Sequence, residues 1–163
     1  MVVIFNSSPL INLSKLGKLG IIEKLFENVI VPRAVYNEII VNGSGKDWQS
    51  DLENLFKLKI INIVDVKDMN LVKALRLEID YGESEVIALA LETNADLIIL
   101  DEVDARKVAE MYDLKKNGFI GLLIKAKNKG IIEENLKDMI DESIKKGFWI
   151  NKKLYNKIIK QLE

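Results

Sequence analysis

The stretch Asp96-Leu97-Ile98-Ile99-Leu100-Asp101-Glu102-Val103-Asp104-Ala105-Arg106 decides the fold of this 163-residue chain. Leu97 to Leu100 would present apolar side chains to both faces of a strand, the pattern of a parallel strand covered by helices on either side. A parallel strand needs a crossover connection, which Ala105 to Tyr112 supplies as a helix. Asp101, Glu102 and Asp104 then stand at the carboxyl end of the strand, where open α/β sheets bind their ligands. The same few residues thus specify an architecture and mark a candidate site.

Working upstream, Gly82 to Glu92 is strongly helical, ending near Asn94, with Tyr81-Gly82 as the break before it. Val2 to Phe5 is a short strand. It runs into Asn6-Ser7-Ser8-Pro9, a strand-to-helix turn in which Ser8 caps a helix opened by Pro9. Leu10, Leu13 and Leu16 recur at helical spacing, Gly17 closes that segment, and residues 19–26 form a second short helix. Val29 to Val31 is another apolar run, after which Pro32 opens a helix through Val35, Ile39 and Ile40. Asn42-Gly43-Ser44-Gly45 is a loop, residues 47–57 a helix, 60–64 a strand and 68–76 a helix.

Downstream, residues 115–117 have poor strand propensity but occupy the strand position before Gly118. A helix follows from Phe119 or Gly121 to Lys129, and two amphipathic helices, about 133–146 and 151–162, finish the chain. The alternation predicts a single α/β domain over residues 1–163. It would be a three-layer α/β/α sandwich with a central parallel sheet of four to five short strands and the helices of about 133–162 packed on it.

Composition narrows the chemistry. The chain has neither His nor Cys, which excludes Ser-His-Asp and Cys-His triads, thiolate nucleophiles and zinc sites of His and Cys. Without a disulfide framework, a signal-peptide pattern or an apolar run long enough to span a membrane, a cytoplasmic protein is expected. Formal charge is −1 overall. Residues 1–104 nonetheless carry 10 Lys and Arg against 17 Asp and Glu, net −7, and residues 105–163 carry 14 against 8, net +6. An acidic centre beside a basic surface suits a phosphate-bearing ligand, although lysines on terminal helices also serve simply as solvated faces.

Asn6 follows the first strand, Asp101 and Asp104 follow the apolar one, Glu38 lies on the helix after Pro32, and Glu83 and Glu85 lie in the first turn of the long helix. Carboxylates brought together raise one another's pKa unless a cation neutralises them, and hard oxygen donors favour Mg²⁺ or Mn²⁺. Two such ions about 4 Å apart can place water for in-line attack on a phosphodiester and stabilise the departing oxygen, with no histidine required. Each acid also has a structural reading. Asp101 and Asp104 could cap a helix, and Glu83 could favour a helix N-terminus through its dipole. Glu83 and Glu85 project about 200° apart around a helix, so one ion cannot take both equally; Glu83 is the preferred ligand and Glu85 the reserve. Ser7, Ser8 and Arg106 are candidates for touching phosphate, with capping and surface pairing as the alternatives.

Four stretches together carry a family resemblance: Asn6-Ser7-Ser8-Pro9-Leu10-Ile11; Val31-Pro32-Arg33-Ala34-Val35-Tyr36-Asn37-Glu38-Ile39; Gly82-Glu83-Ser84-Glu85-Val86-Ile87-Ala88-Leu89-Ala90; and Leu100-Asp101-Glu102-Val103-Asp104-Ala105-Arg106. With Gly118-Phe119-Ile120-Gly121-Leu122-Leu123 and the closing Gly147-Phe148, they resemble the PIN domain superfamily, in particular its VapC-like single-domain prokaryotic subgroup. The resemblance implies a Mg²⁺- or Mn²⁺-dependent endoribonuclease, often the toxin of a toxin–antitoxin pair, acting on RNA, forming a homodimer and bound by a small antitoxin. It implies Asn6, Glu38, Glu83 and Asp101 as metal ligands, with Glu38, Glu83, Asp101 and the supporting Asp104 catalytic. Asn6 stands where the family usually has Asp; its amide oxygen can ligate a hard cation but lacks the charge. The competing expectation is a catalytically degenerate module that binds an antitoxin or RNA without cleaving.

Overall fold

A computed structural model describes residues 1–162. Five parallel strands, β1 (Val2–Phe5), β2 (Asn28–Pro32), β3 (Ile61–Val64), β4 (Leu97–Ile99) and β5 (Lys116–Asn117), form one sheet in the order β3-β2-β1-β4-β5. Between them run α1 (Ser7–Lys15), α2 (Gly20–Leu25), α3 (Arg33–Asn42), α4 (Gln49–Lys57), α5 (Met69–Leu75), α6 (Tyr81–Thr93) and α7 (Val103–Met111), and α8 (Phe119–Asn128) comes after β5. The helices α9 (Leu136–Lys145) and α10 (Lys152–Leu162) follow. The expected three-layer α/β/α arrangement is thus present, and even the poor-propensity segment ending at Asn117 is a strand. There it needs only to pair with β4, as Ile98↔Lys116 and Ile99↔Asn117 do.

Burial explains why the apolar runs became strands. Val3, Ile4, Phe5, Val31, Ile61, Ile98 and Ile99 are all buried, and the long helix α6, buried from Gly82 to Ala90, packs on β1, β2 and β4. At about 25 cal/mol per Å² of apolar surface removed from water, such a core outweighs weak local preferences. α9 packs on α8, and α10 packs on α9 through a Tyr155 hydroxyl that donates to Asp141 Oδ1 at 2.5 Å. No helix among the described residues is long and apolar enough to cross a membrane.

Strand order places the site. The chain builds β1, β2 and β3 outward in one direction, then returns through α5 and α6 to lay β4 on the other side of β1. The order therefore reverses between β1 and β4, the position where doubly wound sheets open a crevice at their carboxyl ends. Phe5 pairs with Ile99, the Asn6 amide donates to Ile99 O at 2.9 Å, and the Leu100 amide donates to Asn117 O at 3.0 Å. Asn6, Asp101 and Asn117 consequently stand in a row along one sheet edge.

Several helix starts differ from the sequence expectation: Pro32 ends β2 and is the N-cap of α3 rather than its first residue, α4 begins at Gln49 and α9 at Leu136, and the starts of α1 and α6 are built differently. Asn6, not Ser8, occupies the N-cap of α1, and Pro9 is the third helical residue rather than the first. The first four amides of a helix have no intrahelical acceptor, so Pro at the third position forfeits no bond. Tyr81-Gly82 is likewise not a break but the first turn of α6. That start is set by Asp80, whose Oδ1 accepts from the Glu83 amide at 2.8 Å while Glu83 Oε2 accepts from the Asp80 amide at 3.1 Å. This reciprocal capping box is worth about 1 kcal/mol. Its Asp-x-x-Glu signature was present in the sequence.

Candidate functional site

Oxygen donors come to the switch point from four places in the chain, the start of α1, α3, the first turn of α6 and the end of β4. At the start of α1, Asn6 is buried and the Ser7 hydroxyl donates to Glu38 Oε2 at 2.6 Å, tying α1 to α3. The Glu38 carboxylate lies against Gly82. A Cβ at Gly82 would overlap Glu38 Oε1, so a larger residue there would push the Glu38 carboxylate out of its place. Burial pushes the Glu38 pKa up, the Ser7 bond opposes that rise, and the nearby Asp80 charge adds to it.

Glu83 is buried beside Asp80, and its pKa is pushed up to about 7 by burial, with the charges of Asp80, Glu102 and Glu38 adding to the rise and the Asp80 amide bond opposing it. Glu85, two residues on, faces away as the helical spacing requires. Its Oε1 accepts from the buried Ala34 amide at 2.8 Å, fastening α6 to the first turn of α3. The sequence reading held Glu85 as a reserve ligand; its carboxylate is committed to this backbone contact.

Asp101 lies at the end of β4. Neither it nor Asp104 caps α7, whose N-cap is Glu102 and carries no side-chain bond. Asp101 Oδ1 instead accepts from the Phe119 amide at 2.9 Å across the β5–α8 turn. Among the described residues, Asp101 Oδ2 is the buried side-chain oxygen left without a partner. Burial raises the Asp101 pKa; the Phe119 bond and the Arg106 charge oppose the rise, and Glu102 adds to it. A Cβ at Gly118 would meet Asp101 Oδ1 at 2.5 Å and Arg106 Nη1 at 3.1 Å, so a bare backbone there admits both side chains.

Arg106 donates from Nη1 to Leu100 O at 3.1 Å and makes no ion pair among the described residues, so the surface pairing considered from sequence does not occur. Asp104 is exposed on α7 and shares a shallow depression with Asp80, Glu83 and Glu102. Beside that depression is a larger cleft of about 790 Å³ whose walls include Ser7, Ser8, Asp101, Arg106 and Asn117, with Phe148 and Trp149 at its far side. Ser8 is thus at the cleft rather than at a cap.

The sequence-chosen residues therefore divide. Glu38 and Glu83 share the field of Asp80, and Glu102 acts on both Glu83 and Asp101. Among the described residues no three acids stand close enough to form a ready-made metal cage. The donor chemistry nevertheless suits a hard cation: every candidate is an oxygen, three carboxyls are pushed toward neutrality by burial and mutual charge, and Asp101 Oδ2 has an unmet need for a positive partner. Asp80 and Asn117 were not selected from the sequence. Asp80 was legible as a capping-box partner, whereas Asn117 becomes a neighbour of Asp101 only through the β4–β5 pairing.

A family model described as DUF3368, a PIN domain, matches residues 2–163. No curated protein matches the chain. Members of that family are generally nucleases, and those nucleases use divalent metals.

Proposed function

The chain belongs to the PIN domain family, and from that premise we propose that it is a Mg²⁺- or Mn²⁺-dependent endoribonuclease whose site is formed by Asn6, Glu38, Glu83 and Asp101. The observation that carries this reading is Asp101: a buried carboxylate with one oxygen held by the Phe119 amide and the other unpartnered at the carboxyl edge of the sheet. A buried ionised oxygen without a hydrogen bond is costly even with the Arg106 charge nearby, and a cation supplies the partner that the protein leaves out.

Asn6, Glu38, Glu83 and Asp101 would hold the divalent ion, which would supply Lewis-acid stabilisation of the charge that develops on phosphate oxygens. The chain's own residues do the rest. The Ser7 hydroxyl fixes the Glu38 carboxylate, the Asp80 amide fixes Glu83, and the Phe119 amide fixes Asp101, so the donors are oriented before anything binds. Asn6 contributes an amide oxygen without charge. Asp104, exposed in the neighbouring depression beside Glu83, orients a water or ligand, and Arg106, Ser7 and Ser8 line the cleft through which a backbone phosphate would enter. Hydrolysis would form one phosphorus–oxygen bond from water and break the bond to the ester oxygen, the water giving up a proton to solvent and the departing oxygen taking one up. Toxin of a toxin–antitoxin pair, homodimer and antitoxin target are the biological roles we attach to this activity, on the VapC-like resemblance of the four motifs.

Asn6, together with the lack of three closely gathered acids among the described residues, favours a second reading: a degenerate module that binds RNA or an antitoxin without cutting. Cleavage of mixed-sequence single-stranded RNA in Mn²⁺, Mg²⁺ or EDTA, with Asp101→Asn and Asn6→Asp beside the parent, separates the two. Metal-dependent cutting that falls more than about a hundredfold in Asp101→Asn supports the nuclease, since even outer-shell changes cost 10- to 100-fold. Cutting that arises only in Asn6→Asp supports the degenerate module.

A further inference from the structure

We propose that Trp149 is a stacking platform for an unpaired base of a single-stranded RNA whose backbone runs through the cleft beside Asp101. The inference rests on the reading that this cleft takes RNA, and it names the form of RNA taken. Trp149 is 78% exposed, an unusual fate for the largest apolar side chain. It is not carried on a loose tail. Gly147, at φ +104°, turns the chain out of α9, the Phe148 amide donates to Ser143 O at 2.9 Å, and Asn151 Oδ1 caps α10 by accepting from the Leu154 amide at 2.7 Å.

Phe148 is seated against Phe119, ring centroids 5.0 Å apart, and Phe119 is the residue whose amide holds Asp101. The indole is therefore presented on a fixed rim of the same cleft on which Asp101 opens. The walls of that cleft also include Lys15 and Arg106 with Ile11, Ile120 and Ile124. Cations beside apolar faces match a chain of phosphates carrying flat bases, and residues 105–163 around them are net basic. An aromatic face accepts any unpaired base, whereas a base inside a duplex is already stacked and paired.

The test is RNA binding at low salt in EDTA, so that cleavage is not read. Probes are a fluorescently labelled 12-nucleotide RNA, its duplex, and a 12-unit strand of the same backbone lacking bases. Tryptophan emission of the parent should be quenched by the single strand and not by the abasic one, and Trp149→Phe should lose that quenching while keeping affinity within about threefold. Trp149→Ala should weaken single-strand binding by about 5- to 140-fold, the equivalent of 1–3 kcal/mol per stacked base, and leave abasic binding unchanged. Equal affinity of parent and Trp149→Ala, equal loss with the abasic strand, or no RNA binding at all would overturn the proposal. So would a Trp149→Ala change confined to oligomeric state in sedimentation, which would assign the rim to a protein contact. Base-dependent quenching without any Mn²⁺-dependent cleavage would leave the platform standing and remove the nuclease reading; cleavage with no Trp149 effect would do the reverse.

Discussion

The first turn of α6 and the end of β4 flank the same switch point, yet they treat their carboxylates differently. On the α6 side each acid has an internal donor: Ser7 for Glu38, the Asp80 amide for Glu83 and the Ala34 amide for Glu85. On the β4 side Asp101 has a donor for Oδ1 and none for Oδ2. These carboxylates therefore serve the fold whether or not a ligand is present: Glu38 joins α3 to α1, Glu85 joins α6 to α3, and Glu83 closes the cap of α6. Asp101 is left incomplete by the fold, which makes its free oxygen the sharper functional signal. Number of acids is a weaker guide than the state of their oxygens.

The largest expected effect that would break this comparison is on the β4 side. Gly118→Ala places a methyl 2.5 Å from Asp101 Oδ1, against Arg106 as well. It should reduce cleavage at least about tenfold, as misplacement of a ligand does, and cost about 1–3 kcal/mol in urea unfolding through overpacking. Retained cleavage would show that Asp101 need not be held by the Phe119 amide.

On the α6 side, Glu85→Ala should cost about 1–3 kcal/mol of stability by leaving the buried Ala34 amide unpaired, with cleavage per folded molecule within severalfold of the parent. A collapse in activity without loss of stability would return Glu85 to the ligand set. Chemical denaturation with the metal requirement measured in parallel distinguishes the two.

The smallest effect concerns pH. The folded-state pKa of Glu83 is about 7 against 4.5 for the free group, so the native state binds its proton more tightly than the unfolded chain. This group's contribution to stability is full below pH 4.5 and is lost as pH rises through 7. Thermal melts in EDTA should show a fall in Tm between pH 5 and pH 8 that Glu83→Gln flattens, because the amide oxygen still accepts from the Asp80 backbone. An identical slope in both proteins would mean that Glu83 is not the titrating group.

Much of this was legible in the residues. The doubly apolar Leu97 to Leu100 could only be satisfied by cover on both faces, and the acids after it had to stand at a strand end. The Glu83–Glu85 divergence followed from helical geometry alone. The start of α1 was misplaced because Ser8-Pro9 mimics a cap followed by a first helical residue. Asn6 takes the cap position instead, its amide already bonded to Ile99 across the sheet. The Asn117 position and the cleft reaching to Trp149 had no local signal, since they arise from pairing and packing between distant segments.

The sequence by itself determined the alternation of strands and helices, the parallel sheet, and a chemistry restricted to oxygen donors, because periodicity and residue type act locally. Tertiary structure alone decided which acids are consumed by the fold and which oxygen is left open. Hydrogen-bond satisfaction depends on backbone amides brought from other elements: Ala34 to Glu85 across 51 residues, and Phe119 to Asp101 across 18. A free carboxylate oxygen is a property of that three-dimensional pairing, and no spacing along the chain encodes it.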